Sequence, residues 1–368
     1  VAAHGATSTD ATVDCDSIPQ ADLLASTGAQ QEASWGLYWA GGGGRYDKAR
    51  RGVSSSFYDP ARPTVIFVHG WAPLGVGSTP GSDPMRYREG GIDADLPVAW
   101  RTPTRPGAAA WNVGLFLWTP FADELEVKDA EAKIWSPQGP RGMRWRKLDG
   151  SYSTVAPNRS VGELFYTAFV CGLADFRGSE LRVAGFSLGA QLAVQLAERA
   201  RTAADLRQLP PSLVPTRVAL LDPAFTKGDK DYLGGSWTGE RVRTVVHRLR
   251  GGMLFEEYKT TVFDQLGITD QNLELRDKVA YVELEPNFLP FWNQVARHGA
   301  APYYYFAQAA VGPARRCGSA AGDLAVVPSA PTPNAEIRSA MDGPVRWIQS
   351  QGLSTASLDD DCFVSQSR

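Results

Sequence analysis

The stretch Leu181-Arg-Val-Ala-Gly-Phe-Ser-Leu-Gly-Ala190 decides how this chain folds. It opens as a buried strand, turns sharply at Gly185-Phe-Ser-Leu-Gly189 and runs into an Ala- and Leu-rich helix over 191–201. G-x-S-x-G between a strand and a helix is a nucleophile elbow. The spacing has a physical reason. Ser187 must sit on a strained turn for its hydroxyl to project from the sheet, and glycines at 185 and 189 let strand and helix approach closely. The helix that follows directs its positive N-terminal end at the same point.

Working outward, Pro63-Thr-Val-Ile-Phe-Val-His-Gly-Trp71 and Trp111-Asn-Val-Gly-Leu-Phe-Leu-Trp118 are continuous apolar runs, the signature of strands buried on both faces of a parallel sheet. Thr216-Arg-Val-Ala-Leu-Leu-Asp222 reads the same way, and strands are also expected at 34–40, 242–249 and 280–284. Helices are expected over 161–174, over most of 290–311 and near 337–349. The run Gly41–Gly44 lacks the Lys-Ser/Thr of a phosphate-binding loop and reads as a flexible loop. Alternation of strands and helices predicts an α/β-hydrolase fold: a mostly parallel central sheet with helices on both faces. The expected layout is an N-terminal arm, 1–34, and a single domain, 35–368, with insertions at 72–109 and 119–158. Val1-Ala-Ala-His-Gly-Ala-Thr-Ser-Thr-Asp-Ala-Thr12 lacks the basic and apolar regions of a secretory leader and reads as a processed end.

A serine nucleophile needs a base, and the base needs an acid to orient it. The chain has four histidines, His4, His69, His247 and His298. His4 falls in the arm. His69 ends a strand before Gly70, where an oxyanion loop is expected. His247 is expected inside a strand as a packed residue. His298, in Ala296-Arg-His-Gly299, is expected on a loop after the last long strand, where the order Ser…Asp…His places the base, with His247 its competitor. Asp222 closes a strand before Pro223 and is the expected acid, with Asp264 its rival, since functional groups of open α/β sheets gather at the carboxyl ends of strands. The oxyanion donors expected are the backbone N–H groups of Leu188 and Trp71.

Composition narrows the reading. Hydrophobic residues make up 43% and aromatic residues 10% of 368 positions, enough for a substantial core. A net charge of −3 argues against a nucleic-acid partner, and no apolar run is long enough to cross a bilayer. Cys15, Cys171, Cys317 and Cys362 lack C-x-x-C spacing, which fits two disulfides, expected as Cys15–Cys171 and Cys317–Cys362. That cysteine usage implies a secreted or periplasmic protein.

Taken together, the segments ending in His69-Gly70-Trp71, in Leu117-Trp118, in Gly185-Phe-Ser-Leu-Gly189, in Leu221-Asp-Pro-Ala224 and in Arg297-His-Gly-Ala-Ala-Pro-Tyr-Tyr-Tyr305 resemble the pancreatic-type lipase superfamily, which includes triacylglycerol lipases and phospholipases A1. The resemblance covers roughly 63–310. It implies Ser187, Asp222 and His298 as the triad, Trp71 and Leu188 as oxyanion donors, and a non-catalytic role for His247. Phe186 stands where that family carries a His, and no Cys lies between Asp222 and His298 to flank a lid. The expected activity is hydrolysis of lipid-like or other acyl esters through an acyl-enzyme, with no metal or organic cofactor. The expected partner is a small-molecule or lipid ester, with peripheral contact at most with a membrane. The Arg141–Lys147 cluster keeps a phospholipase A1 in view, although a solvated charged loop is the commoner role for such a run. A peptidase or amidase would use the same triad, and a binding protein lacking activity would share the fold. The apolar set Met253, Leu254, Phe255, Val262, Phe263 and Leu266 is expected to pack rather than to form a lid.

Overall fold

A computed structural model describes residues 13–20, 34–76, 84–319 and 327–368. The strands of its main sheet are β1 (Gly36–Gly42), β2 (Arg45–Lys48), β3 (Thr64–Val68), β4 (Asn112–Leu117), β5 (Leu181–Phe186), β6 (Arg217–Leu221), β7 (Leu254–Lys259), β8 (Ala280–Glu283), β9 (Arg315–Arg316), β10 (Val345–Gln351) and β11 (Cys362–Ser367). They form one 11-stranded sheet in the order β9-β11-β10-β8-β7-β6-β5-β3-β4-β1-β2. The run from β4 to β10 is parallel throughout. Antiparallel pairs appear toward its two sides, β1 with β4 and β2, and β10 with β11.

The helices are α1 (Leu96–Arg101), α2 (Thr119–Ala122), α3 (Val127–Trp135), α4 (Val161–Gly172), α5 (Gly189–Asp205), α6 (Thr238–Leu249), α7 (Leu273–Arg276), α8 (Gln294–Val311) and α9 (Asn334–Asp342). Alternation along each strand sorts side chains to two faces. Ile66, Val68, Val183, Val218 and Leu220 join the layer containing α4, α5, α6 and α9. Val65, Phe67, Ala184, Ala219 and Leu221 join the layer containing α1 and α8. Both faces are therefore covered, which is why β3, β4 and β6 are buried at every position. This is the α/β-hydrolase architecture expected from the sequence. The start of α4 shows how local chemistry fixes an end. The Ser160 hydroxyl accepts from the Glu163 N–H, and the Glu163 carboxylate accepts from the Ser160 N–H.

Both expected disulfides are present, Cys15–Cys171 and Cys317–Cys362. The first ties a short turn around Cys15 to α4, and the second ties Cys317, just after β9, to the start of β11. Most of the expected arm, His4 included, and part of the 72–109 insertion lie outside the described residues. Among the described residues, no helix is long and apolar enough to cross a membrane.

Three expectations need correction. The segment 242–249 is not a strand; it lies in α6, where Val242, Val245, Val246 and Leu249 recur at helical spacing and are buried. The helix expected near 337–349 is shorter, α9, and Val345–Gln351 is strand β10. Of the apolar set expected to pack, Met253, Leu254 and Phe255 are buried but Leu266 is 64% exposed; Leu254 and Phe255 open strand β7, whose Leu-Phe-Glu-Glu-Tyr-Lys sequence hides its burial behind three charges. Glu256 is neutralised inside the sheet by Arg217 of β6, with contacts of 2.8 and 2.6 Å.

Candidate active site

The chain reverses its direction of travel across the sheet at β3, which sits between β4 and β5. Such a switch point opens a crevice at the carboxyl ends of the two strands that flank it. The two segments that leave β3 and β5 there are His69-Gly70-Trp71 and Ser187-Leu188.

Ser187 has φ of +56°, a left-handed conformation that is costly for a residue with a side chain. The turn is held by the Ser187 N–H donating to the Leu221 carbonyl at 3.0 Å and by the Ala190 N–H donating to the Ser187 carbonyl at 3.1 Å. The flanking glycines are sterically required. A Cβ on Gly185 would lie 2.2 Å from the Gly189 carbonyl oxygen, and one on Gly189 would lie 2.2 Å from the Val68 carbonyl oxygen. Gly70 closes over the serine: a Cβ there would fall 2.5 Å from Ser187 Cβ.

Asp222 also has positive φ, +43°, and is 1% exposed. Its Oδ2 accepts from His298 Nδ1 at 2.6 Å and from Thr261 Oγ1 at 2.8 Å. Its Oδ1 accepts from Lys259 Nζ at 2.9 Å and from the Thr260 N–H at 3.2 Å. Burial alone would raise the Asp222 pKa, but the Lys259 ammonium and His298 outweigh it and hold the carboxyl far below the usual range. Asp222 is thus an anion with both oxygens engaged. The His298 ring lies between Phe186, at 4.4 Å between centroids, and Phe263, at 5.7 Å. Phe186 adjoins Ser187 in the chain, so the imidazole is packed against the elbow itself.

His298 differs from expectation in one respect: it lies inside α8, not on a loop before it. Gly299 and Pro302 read as breakers. Pro302 nevertheless lies inside α8, where its missing N–H leaves the His298 carbonyl, four residues back, without its helical donor. The rivals fall away from the imidazole–carboxylate pair. His247 is exposed on α6. Asp264 pairs with Lys259 at 3.5 Å and with Arg276, and makes no contact with His298.

The two expected oxyanion donors are available. Among the described residues, neither the Trp71 nor the Leu188 backbone N–H has a hydrogen-bond partner. His69 fixes the first of them. Burial lowers its pKa to about 4, leaving it neutral. Its Nδ1 lies 2.9 Å from the Gly70 carbonyl, so that nitrogen carries the proton, and Nε2 accepts from the Trp118 N–H at 3.2 Å. Carbonyl and N–H point opposite ways across one trans peptide, so holding the Gly70 carbonyl turns the Trp71 N–H away from His69.

Sequence reasoning passed over Lys259, a buried cation on the Asp222 carboxylate. Its only trace was a lysine closing an otherwise apolar-flanked segment. The Arg141–Lys147 cluster is largely spoken for: Arg141 meets Asp129 at 2.9 Å, Arg144 grips Glu124, and Arg146 lies over the Tyr152 ring at 4.9 Å.

No protein-family model and no curated protein sequence matches this chain. Among solved structures it is similar to a thioesterase domain from the curacin biosynthetic pathway, with a TM-score of 0.30 and 11% identity, over 73% of this chain and 99% of that one.

Proposed function

We propose that this chain is a serine carboxylic-ester hydrolase of lipase-like type, working outside the cytoplasm. The observation that carries the reading is the strained Ser187 elbow packed, through Phe186, against an imidazole that is hydrogen-bonded to a buried carboxylate. In this reading the Ser187 hydroxyl attacks the ester carbonyl while His298 takes its proton. Asp222 holds the imidazole by Nδ1, leaving Nε2 for the serine. The Trp71 and Leu188 N–H groups receive the oxyanion, each worth about 3 kcal/mol in the transition state. His298 then returns the proton to the departing alcohol, activates water, and the acid is released.

The surroundings favour an apolar acyl group. Phe291, Trp292 and Val295, at the N-terminal end of the His298 helix, are 63%, 84% and 77% exposed. Gln294 beside them accepts from the Val262 N–H at 3.1 Å, tying this turn to the loop that carries Phe263 and the exposed Leu266 and Ile268. Trp71 and Leu74 add apolar surface beside the elbow. Clustered exposed apolar residues of this kind mark binding surfaces, and a lipid ester or its interface fits this one. Two disulfides agree with an oxidising compartment. The paired state of Arg141 and Arg144 counts against their use as a phosphate-binding patch.

Hydrolysis of p-nitrophenyl esters from acetate to palmitate tests the reading. Ser187→Ala is expected to lower turnover by about a thousandfold or more with circular dichroism unchanged. Equal turnover in the variant would remove the assignment.

A further inference from the structure

Lys259 closes β7 with 6% of its surface exposed, and a buried ammonium persists only where carboxylates and hydroxyls satisfy it. Its Nζ lies 2.9 Å from Asp222 Oδ1, 3.0 Å from Thr261 Oγ1 and 3.5 Å from Asp264 Oδ1. The other Asp264 oxygen is held by Arg276 of α7. Arg276, Asp264, Lys259, Asp222 and His298 therefore form a chain of alternating charge ending on the imidazole. Glu257, on the same face of β7 as Lys259, flanks the chain at 3.6 Å from Arg276. Arg297, next to His298, is turned away onto the Pro286 carbonyl and Asn287.

The division of Asp222 between its two oxygens has an electrostatic consequence. One oxygen orients His298, and the other answers a full positive charge. That charge sets how strongly Asp222 favours the imidazolium that forms during turnover, because Lys259 and Asp222 are both buried and solvent screening between them is weak. Asp264 in turn answers Lys259 from the far side.

We propose that Lys259 and Asp264 are positioning residues that set the pH range in which His298 works as a base. Lys259 weakens the hold of Asp222 on the imidazolium, and Asp264 restores part of it. This inference rests on the Ser187–His298–Asp222 reading given above. It predicts effects of opposite sign from two neighbouring positions. Removing the cation favours the imidazolium, so a higher pH is needed to free the base. Removing the second carboxylate leaves Lys259 to Asp222 alone and has the reverse effect.

The test is the pH dependence of kcat/KM for p-nitrophenyl butyrate, whose acid limb reports the free enzyme's base. In Lys259→Met the half-point of that limb is expected to rise by about one pH unit. In Asp264→Asn it is expected to fall by about half a unit, and Lys259→Arg returns it toward the parent profile. Limbs that stay in place, or that move in the same direction in both variants, would overturn the proposal, since a purely structural role lowers activity without splitting the sign. Should Lys259→Met not fold, Asp264→Asn decides alone: a downward shift supports the proposal and any other result removes it. Ser187→Ala, run alongside, separates the two levels. Turnover independent of Ser187 removes the triad reading and this proposal with it, whereas Ser187-dependent turnover with unmoved limbs removes this proposal only.

Discussion

Glu257 shows what a single residue costs this fold. It is 3% exposed, and its Oε2 has no hydrogen-bond partner among the described residues. Burial pushes its carboxyl up to about 7, against the pull of Arg276 and Lys259. The folded value thus lies above the unfolded one, near 4.5. Below the unfolded value both states hold the proton and the group is neutral to stability. As pH rises toward 7 the unfolded chain releases its proton first, and stability is lost. Glu257→Gln is therefore expected to stabilise the protein at pH 8 by roughly 1–3 kcal/mol and to give a much smaller gain at pH 5. Urea midpoints at the two pH values measure this; the same gain at both would show that the charge is not the cause. The same sort of burial explains why such residues escape a reading of sequence alone. Glu257 and Lys259 look like solvent-facing charges in a segment that proves to be a central strand, and their partners Asp264 and Arg276 arrive only through tertiary packing.

Among the elements, the turn after β3 carries the most testable geometry. His69 is stacked near Trp118, at 5.6 Å between centroids, and bonds to both the Gly70 carbonyl and the Trp118 N–H. Phenylalanine would keep the stacking and lose both bonds. His69→Phe is expected to lower kcat by about 10- to 100-fold with KM little changed, because the Gly70–Trp71 peptide would no longer be fixed for the transition state; steady-state kinetics on p-nitrophenyl butyrate decide it, and an unchanged kcat would show that the clamp is idle. Elements of this kind were legible where hydrophobicity was continuous: β3, β4, β5 and β6 follow directly from their apolar runs. The errors came where periodicity was short or masked. The β-branched valines of α6 read as a strand, although the buried set recurs at three- and four-residue spacing, and the start of α8 reads as a loop because Gly299 and Pro302 mimic one.

Across the whole molecule, a parallel sheet brings distant chain segments to one edge. Ser187 follows β5, Asp222 follows β6, the Gly70–Trp71 turn follows β3, and His298 returns on a helix from beyond β8. The imidazole–carboxylate pair could be read from the sequence because Ser…Asp…His order and strand-end placement follow from this topology. The charge chain behind it could not, since Asp222, Lys259, Asp264 and Arg276 share no motif and meet only in the folded chain. The rim of exposed aromatic and aliphatic residues was equally hidden, because exposure is a property of the assembled surface. Every step proposed for ester hydrolysis requires that Ser187 be an activated nucleophile. Labelling with a fluorophosphonate probe, followed by peptide mapping, measures that directly. One adduct is expected, on Ser187, accumulating in step with loss of ester hydrolysis and absent from Ser187→Ala. An adduct elsewhere, or hydrolysis that survives full labelling of Ser187, would contradict it.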